Sequence, residues 1–170
     1  DAIRSRGLGD VYKRQGSNRS PDMVRVIVEG AQNVVAAAQA CGAKLVHLSS
    51  DVVFAGDDAP YTESAETSPI HAYGQAKVDA EQIVAAYPNH VIVRTSLIYS
   101  LRLMDAGTSW MQRALANGET ITLFTDHRRN PVHADNLAAA CLELAANDYT
   151  GILNVAGGQE LTRAAFARRM

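Results

Sequence analysis

Apolar residues recur three and four apart through the first long segment: Val24, Val28, Ala31, Val35, Ala38 and Cys41. That spacing lines one face of a helix. Ser20-Pro21-Asp22 supplies its start: a capping hydroxyl, a proline suited to the first turn, and an acid at the positive end of the helix dipole. Gly42 supplies its end. The period then changes. Leu45-Val46-His47-Leu48-Ser49-Ser50 is a short, mostly apolar run of the kind buried in a parallel sheet. A polar loop over 55–69 leads through Pro69 into a second predicted helix, 71–86, which Pro88 halts. VIVRTSLIY at 91–99 predicts another buried strand. A linker with Gly107 precedes a helix near 108–117 carrying Trp110 and Met111, and ITLF at 121–124 reads as a strand. Asp135 stands near the start of a helix over 136–147, closed by Gly151; 152–156 is a strand, and Thr162 caps a last helix. Strands and helices alternate with no internal repeat, which predicts the α/β class.

Residues 1–15 show neither period. GLGDVYKRQ at 7–15 is similar to a run found at the starts of unrelated translated metagenomic reads, so the tail is expected to be non-native and the fold to occupy 16–170. Gly7-Leu8-Gly9 has no strand before it and no third glycine at the spacing of a dinucleotide loop. The tail holds four basic and two acidic residues, so the rest holds 12 basic and 16 acidic against a whole-chain net charge of −2. No basic stripe interleaves with aromatics, which argues against a nucleic-acid partner. No apolar run reaches the ~18 residues of a membrane helix. The 170 residues, 47% hydrophobic, suffice for one domain with a sizeable core. Cys41 and Cys141 lie in Ala-rich helical stretches and read as small buried hydrophobes, not as a bridge or metal site, which fits a reducing, cytoplasmic setting. His47 reads as a satisfied core residue; His71, His90, His127 and His133 have no ligand spacing, so no metal is expected.

The chemistry concentrates in two consecutive units. Ser49, Ser50 and Asp51 end the 45–50 strand, and parallel α/β sheets hold ligands at their strands' carboxyl ends. Alone, these residues more often cap the next turn than do chemistry. Tyr73 and Lys77 stand four apart, on one helical face. A tyrosine with a pKa near ~10 is a poor acid or base at neutral pH, and a neighbouring ammonium favours its phenolate. Such a pair is a plausible proton donor and acceptor for a carbonyl–alcohol interconversion, with Ser50 hydrogen-bonding the same oxygen. Alone, the spacing is a weak signal and more often marks a solvated surface pair.

Together, strand, loop and helix resemble the extended short-chain dehydrogenase/reductases. Within them, VHLSSDVVFAG, PYTES and SPIHAYGQAKVDAE resemble the dTDP-4-dehydrorhamnose reductase-like branch, as do VIVRTSLIYS and Arg129-Asn130-Pro131-Val132-His133, over roughly residues 22–170. The resemblance implies part of a Rossmann-like, doubly wound parallel sheet, with pieces of a small substrate domain at about 100–130 and 157–170. It implies an NADP- or NAD-dependent oxidoreductase that reduces the keto group of a nucleotide-linked sugar. A sugar-nucleotide epimerase or dehydratase, or a non-catalytic nucleotide-binding regulatory subunit, are the alternatives. By the same resemblance Ser50 polarises the carbonyl, Tyr73 is the catalytic tyrosine, and Lys77 holds the nicotinamide ribose and tunes Tyr73. Thr95 and Ser96 pass the nicotinamide, and Arg129 binds the sugar nucleotide's pyrophosphate through a bidentate fork. The parent is a candidate homodimer. Departures are Ile27 where many relatives have Asn, Leu97 for a usual Trp, Ser100 for a usual glycine and Asn136 for a common aspartate. The family's glycine-rich pyrophosphate loop has no counterpart in these residues, so the chain is read as an internal piece of a larger reductase, inactive by itself.

Overall fold

The computed structural model describes residues 3–6, 21–100, 102 and 106–169. They fall into two compact units, one formed by Asn18–Thr95 with Ala138–Val155, the other by Asp1–Ser17, Ser96–Leu137 and Ala156–Met170.

The first unit starts with α1, Pro21–Cys41, and β2, Leu45–Ser50. A short 3-10 turn, Asp51–Val53, and the polar loop lead to α2, Ala72–Ala85. Next come β3, His90–Thr95, and β8, Gly151–Val155, which follows the second half of α4, Ala134–Ala146. The sheet is parallel in the order β2-β3-β8, with Leu45 opposite His90, Ser50 opposite Thr95, and Val91 opposite Gly151. Every connection between these strands carries a helix, as parallel pairing requires. The predicted face of α1 is the one that packs: Ala31, Val35 and Ala38 join Ala80, Val84 and Tyr87 around Ile92 of β3. Small residues on both helices let the backbones approach, and the Tyr87 hydroxyl donates to the Ala43 carbonyl at 2.7 Å, tying the helix end to the entry of β2. The proposed cap Ser20 lies outside the described residues, as does Gly7-Leu8-Gly9.

In the second unit β1, Ile3–Arg6, pairs in parallel with β5, Ile121–Phe124. No element is predicted within residues 1–15, so this strand is a difference: a backbone ladder forms here without an alternating side-chain pattern to announce it. Two pairs of two-residue strands complete the unit with the helices α3, Ala106–Ala116, and α5, Arg163–Ala167. β4, Ile98–Tyr99, lies parallel to β7, Val132–His133, and β6, Arg128–Arg129, antiparallel to β9, Leu161–Thr162. The core gathers Met111, Ala114, Ile121, Leu123 and Ala164. Gly107 lies inside α3, not in a linker before it. Thr162 caps α5 as predicted, accepting from the Ala165 N–H at 3.0 Å.

The single strand predicted over 91–99 is two. β3 stops at Thr95, and the chain crosses into the other unit. There the Ser96 hydroxyl accepts the Asn130 N–H at 3.2 Å and the Leu97 carbonyl accepts that of Val132 at 2.9 Å. Cys41 is exposed, against expectation, because it is the last residue of α1, beyond the packed stretch that ends at Ala38; Cys141 is half-buried, and both are free thiols. Among the described residues no helix is long and apolar enough to cross a membrane, and no group of His, Cys, Asp or Glu could hold a metal ion.

Candidate active site

Ser50 closes β2 and turns straight into the 3-10 turn. Its hydroxyl accepts the Val52 N–H at 3.4 Å and donates to Asp51 at 3.3 Å, so the capping role open to it is one it performs. Thr95 stands opposite Ser50 in the ladder. Thr95 and the neighbouring Ser49 are 4% and 3% exposed, and both hydroxyls lack a partner among the described residues. Buried hydroxyls are normally paired, so the Thr95 orphan marks a group open to contact with something else on the Ser50 face of the sheet, while Ser49 lies on the opposite face.

Tyr73 occupies the first turn of α2. The helix is capped by the His71 ring, whose Nδ1 accepts the Gly74 N–H at 2.9 Å. Gly74 brings this turn against the one Ser50 caps. A Cβ at Gly74 would stand 2.5 Å from the Val52 carbonyl and 3.0 Å from Pro69. We expect Gly74→Ala to shift Tyr73 relative to the Ser50 turn and to cost about 1–3 kcal/mol in urea unfolding. A neutral result would show that the helix can withdraw freely.

One turn further on, the Lys77 ammonium donates to the Leu48 carbonyl at 2.8 Å, two residues before Ser50. The structure thus brings Lys77 onto the strand that carries Ser50, while Tyr73 shares its helix and Thr95 its ladder. Ser96 and Arg129 belong to the other unit. There Arg129 donates through Nε to His127 Nε2 at 3.0 Å, and Asn130 joins Gly157 by two hydrogen bonds.

Sequence reasoning missed the frame around these groups. Arg94, 5% exposed in the middle of an apolar strand, clamps Glu81 of α2 with Nη2 at 2.7 Å and Nε at 3.1 and 3.2 Å. It also reaches the Glu63 carbonyl and stacks 5.1 Å over the Phe54 ring. The Glu63 carboxylate accepts the Asn154 N–H of β8 at 3.0 Å, which holds its carboxyl below the ordinary carboxylate range. Phe54 and Tyr61 stack at 4.2 Å. The loop between Ser50 and Tyr73 is thereby pinned to the sheet at several points. The available signal was Arg94 itself, since a charge inside a buried strand requires a partner.

His47 is not the satisfied core residue expected. Its Nε2 is buried without a partner among the described residues. Burial pushes its proton affinity below the usual 6.5, and the Lys77 charge adds to this against the pull of Glu81. The unfolded chain therefore takes up a proton near pH 6.5 that the folded chain refuses, so this group removes stability as pH falls below that value toward the lowered one. His47→Gln should flatten the decline in urea midpoint between about pH 7.5 and about pH 5.5. An identical decline in both proteins would contradict the assignment.

Ser50 and Thr95 end two parallel strands, and the helix that opens on Tyr73 and Lys77 connects them. A family model for the RmlD substrate binding domain matches residues 17–170. The chain belongs to the RmlD substrate-binding domain family. It is similar to the dTDP-4-dehydrorhamnose reductase of Sinorhizobium fredii, 35% identical over 149 residues covering 82% of this chain and 50% of that protein. It is also similar to the solved dTDP-4-dehydrorhamnose reductase of Bacillus anthracis in complex with NADP, at 31% identity and TM-score 0.77, covering 84% of this chain and 51% of that one. A third relative is the methionine adenosyltransferase 2 subunit beta of Rattus norvegicus, 28% identical, covering 84% of this chain and 46% of that protein. This member of the RmlD family spans about half the length of the curated relatives it matches. The likeness bears out the expected reductase branch and the Rossmann-like α/β class with its parallel sheet.

Proposed function

We propose that the protein carrying this chain is an NADP- or NAD-dependent oxidoreductase that reduces the keto group of a nucleotide-linked sugar of the dTDP-4-dehydrorhamnose type. The observation that carries the reading is the seat of Lys77 on the Ser50 strand, one turn after Tyr73, in a chain of this family. The residues present fit the nicotinamide end of such a cofactor. The orphaned Thr95 hydroxyl sits at the carboxyl end of the sheet, where open α/β folds receive ligands. A bound nicotinamide supplies the hydride. Tyr73 gives its hydroxyl proton to the sugar oxygen as the carbonyl becomes an alcohol, and Ser50 hydrogen-bonds that oxygen while charge develops on it. Lys77 holds the ribose hydroxyls and favours the phenolate left on Tyr73. Thr95 and Ser96 line the nicotinamide's path, and Arg129 grips the sugar nucleotide's diphosphate as a fork. Segments at about 100–130 and 157–170 serve the substrate side.

The experiment is cofactor consumption by the whole protein with a panel of keto-sugar nucleotides. Stoichiometric oxidation of NADPH or NADH with one of them supports the reading. Interconversion of sugars without net oxidation points to an epimerase instead. The relative named as a methionine adenosyltransferase subunit favours a second reading, a non-catalytic regulatory subunit. Cofactor binding without turnover on any of the panel is its expected result.

A further inference from the structure

A lysine one turn before a glutamate on the same helix face is within reach of an ion pair with it, although the reverse order is the more favourable. Lys77 and Glu81 stand at that spacing in α2, both withdrawn from bulk water, where such a pair is screened least. No ion pair joins them among the described residues. Glu81 is taken instead by Arg94 of β3, and both side chains are nearly sealed, at 6% and 5% exposure. The guanidinium addresses both carboxylate oxygens at once, at 2.7 to 3.2 Å. A fork of that kind leaves little acceptor capacity for a second cation.

The ladder shows where Lys77 goes. The Leu45 N–H donates to the Asn89 carbonyl, so Leu45, His47 and Ser49 turn their backbone polar groups toward β3. Val46, Leu48 and Ser50 turn theirs the other way, to the edge of β2 that faces away from β3 and pairs with no strand among the described residues. The Leu48 carbonyl that receives Lys77 lies on that edge. Glu81, four residues on in the helix, is placed to compete for the ammonium, and its charge raises the proton affinity of Lys77 against the larger lowering by burial. The charged or titratable groups that act on Lys77 are Glu81 from its own helix and His47 from β2; Tyr73 stands one turn before it, and Arg94 of β3 is bound to Glu81.

We propose that Arg94 is a positioning residue of the reductase site, holding Glu81 away from Lys77 so that the ammonium stays at the β2 edge on the helix face shared with Tyr73. The proposal rests on the reading of Lys77 as the residue that holds the cofactor ribose. Arg94 touches neither substrate nor cofactor; it acts through Glu81. A lysine at position 94 serves less well, since a point charge engages one carboxylate oxygen and leaves the other for Lys77.

The test is the titration of the Lys77 side chain by heteronuclear NMR, which needs no turnover. In Arg94→Met the freed carboxylate captures Lys77, its titration midpoint moves up, and the contact with the Leu48 carbonyl is lost. Arg94→Lys gives a smaller upward shift. In Arg94→Met/Glu81→Gln no carboxylate remains, and the midpoint returns to the wild-type value or below it. Should Arg94→Met fail to fold, Arg94→Lys and Glu81→Gln carry the comparison, with the midpoint up in the first and down in the second. A Lys77 midpoint unchanged across the Arg94 variants overturns the proposal and leaves the pair as scaffold only. The reductase reading is tested separately by turnover of Tyr73→Phe, so failure of the Arg94 proposal and failure of that reading are told apart.

Discussion

Tyr73→Phe lowers turnover of a keto-sugar nucleotide by about 10²–10⁴-fold, the usual contribution of a placed general acid, while cofactor affinity stays close to wild type. The substitution removes one hydroxyl and keeps the ring, so the first turn of α2 and its His71 cap are preserved. Lys77 still reaches the Leu48 carbonyl, a contact that does not involve Tyr73. The effect should therefore fall on kcat more than on KM, as expected when an interaction made in the transition state is lost. Steady-state kinetics with parallel cofactor titration measure it. A variant with near-full turnover would move the proton donor to another residue.

The second large effect is on stability. Glu81→Leu leaves the Arg94 guanidinium 5% exposed with no carboxylate to meet it. Breaking one side of a buried pair costs about 3–5 kcal/mol, and for a chain of this length the Tm should fall on the order of 10 °C. Arg94→Met/Glu81→Leu, which removes both charges and fills similar volume, should regain most of that loss, because the pair's own desolvation is removed with it. Urea unfolding of the single and double variants decides the matter. A single variant as stable as wild type would mean that water or the Glu63 carbonyl satisfies Arg94 unaided.

Much of the fold was legible because its periods are regular. α1 packs through Ala31, Val35 and Ala38, half a heptad apart in turn, and β2 and β5 occupy the predicted residues. What was illegible depends on partners distant in sequence. Nothing in VIVRTSLIY marks a break at Ser96, since every residue there suits a strand; the break comes from Asn130 and Val132, which claim Ser96 and Leu97. The pairs β4–β7 and β6–β9 are two residues long, too short for alternation to register. His71 as a cap escaped notice because the usual caps are Ser, Thr, Asp and Asn. In the candidate site, Tyr73 and Lys77 were legible through their spacing, and Ser50 through its place at a strand end. Their supports were not: Glu81 looks like one more polar residue on a helix until Arg94 is seen against it, and Gly74 is a mid-sequence glycine until the Val52 carbonyl is seen beside it. His47 misled in the other direction, for its apolar neighbours in sequence do not disclose that its Nε2 meets no acceptor or donor among the described residues.

The central claim is that this chain supplies the proton and the carbonyl-binding groups for hydride transfer to a nucleotide-linked ketosugar. The most direct measurement uses NADPH deuterated at the transferring position, incubated with dTDP-4-dehydrorhamnose and the whole protein, with the sugar product analysed by mass spectrometry and NMR. The account predicts a single deuterium at the former carbonyl carbon, formed at the rate of NADPH loss, and near absence of that product with Tyr73→Phe. A product without deuterium at that carbon, or equal deuterium transfer by wild type and Tyr73→Phe, would contradict it.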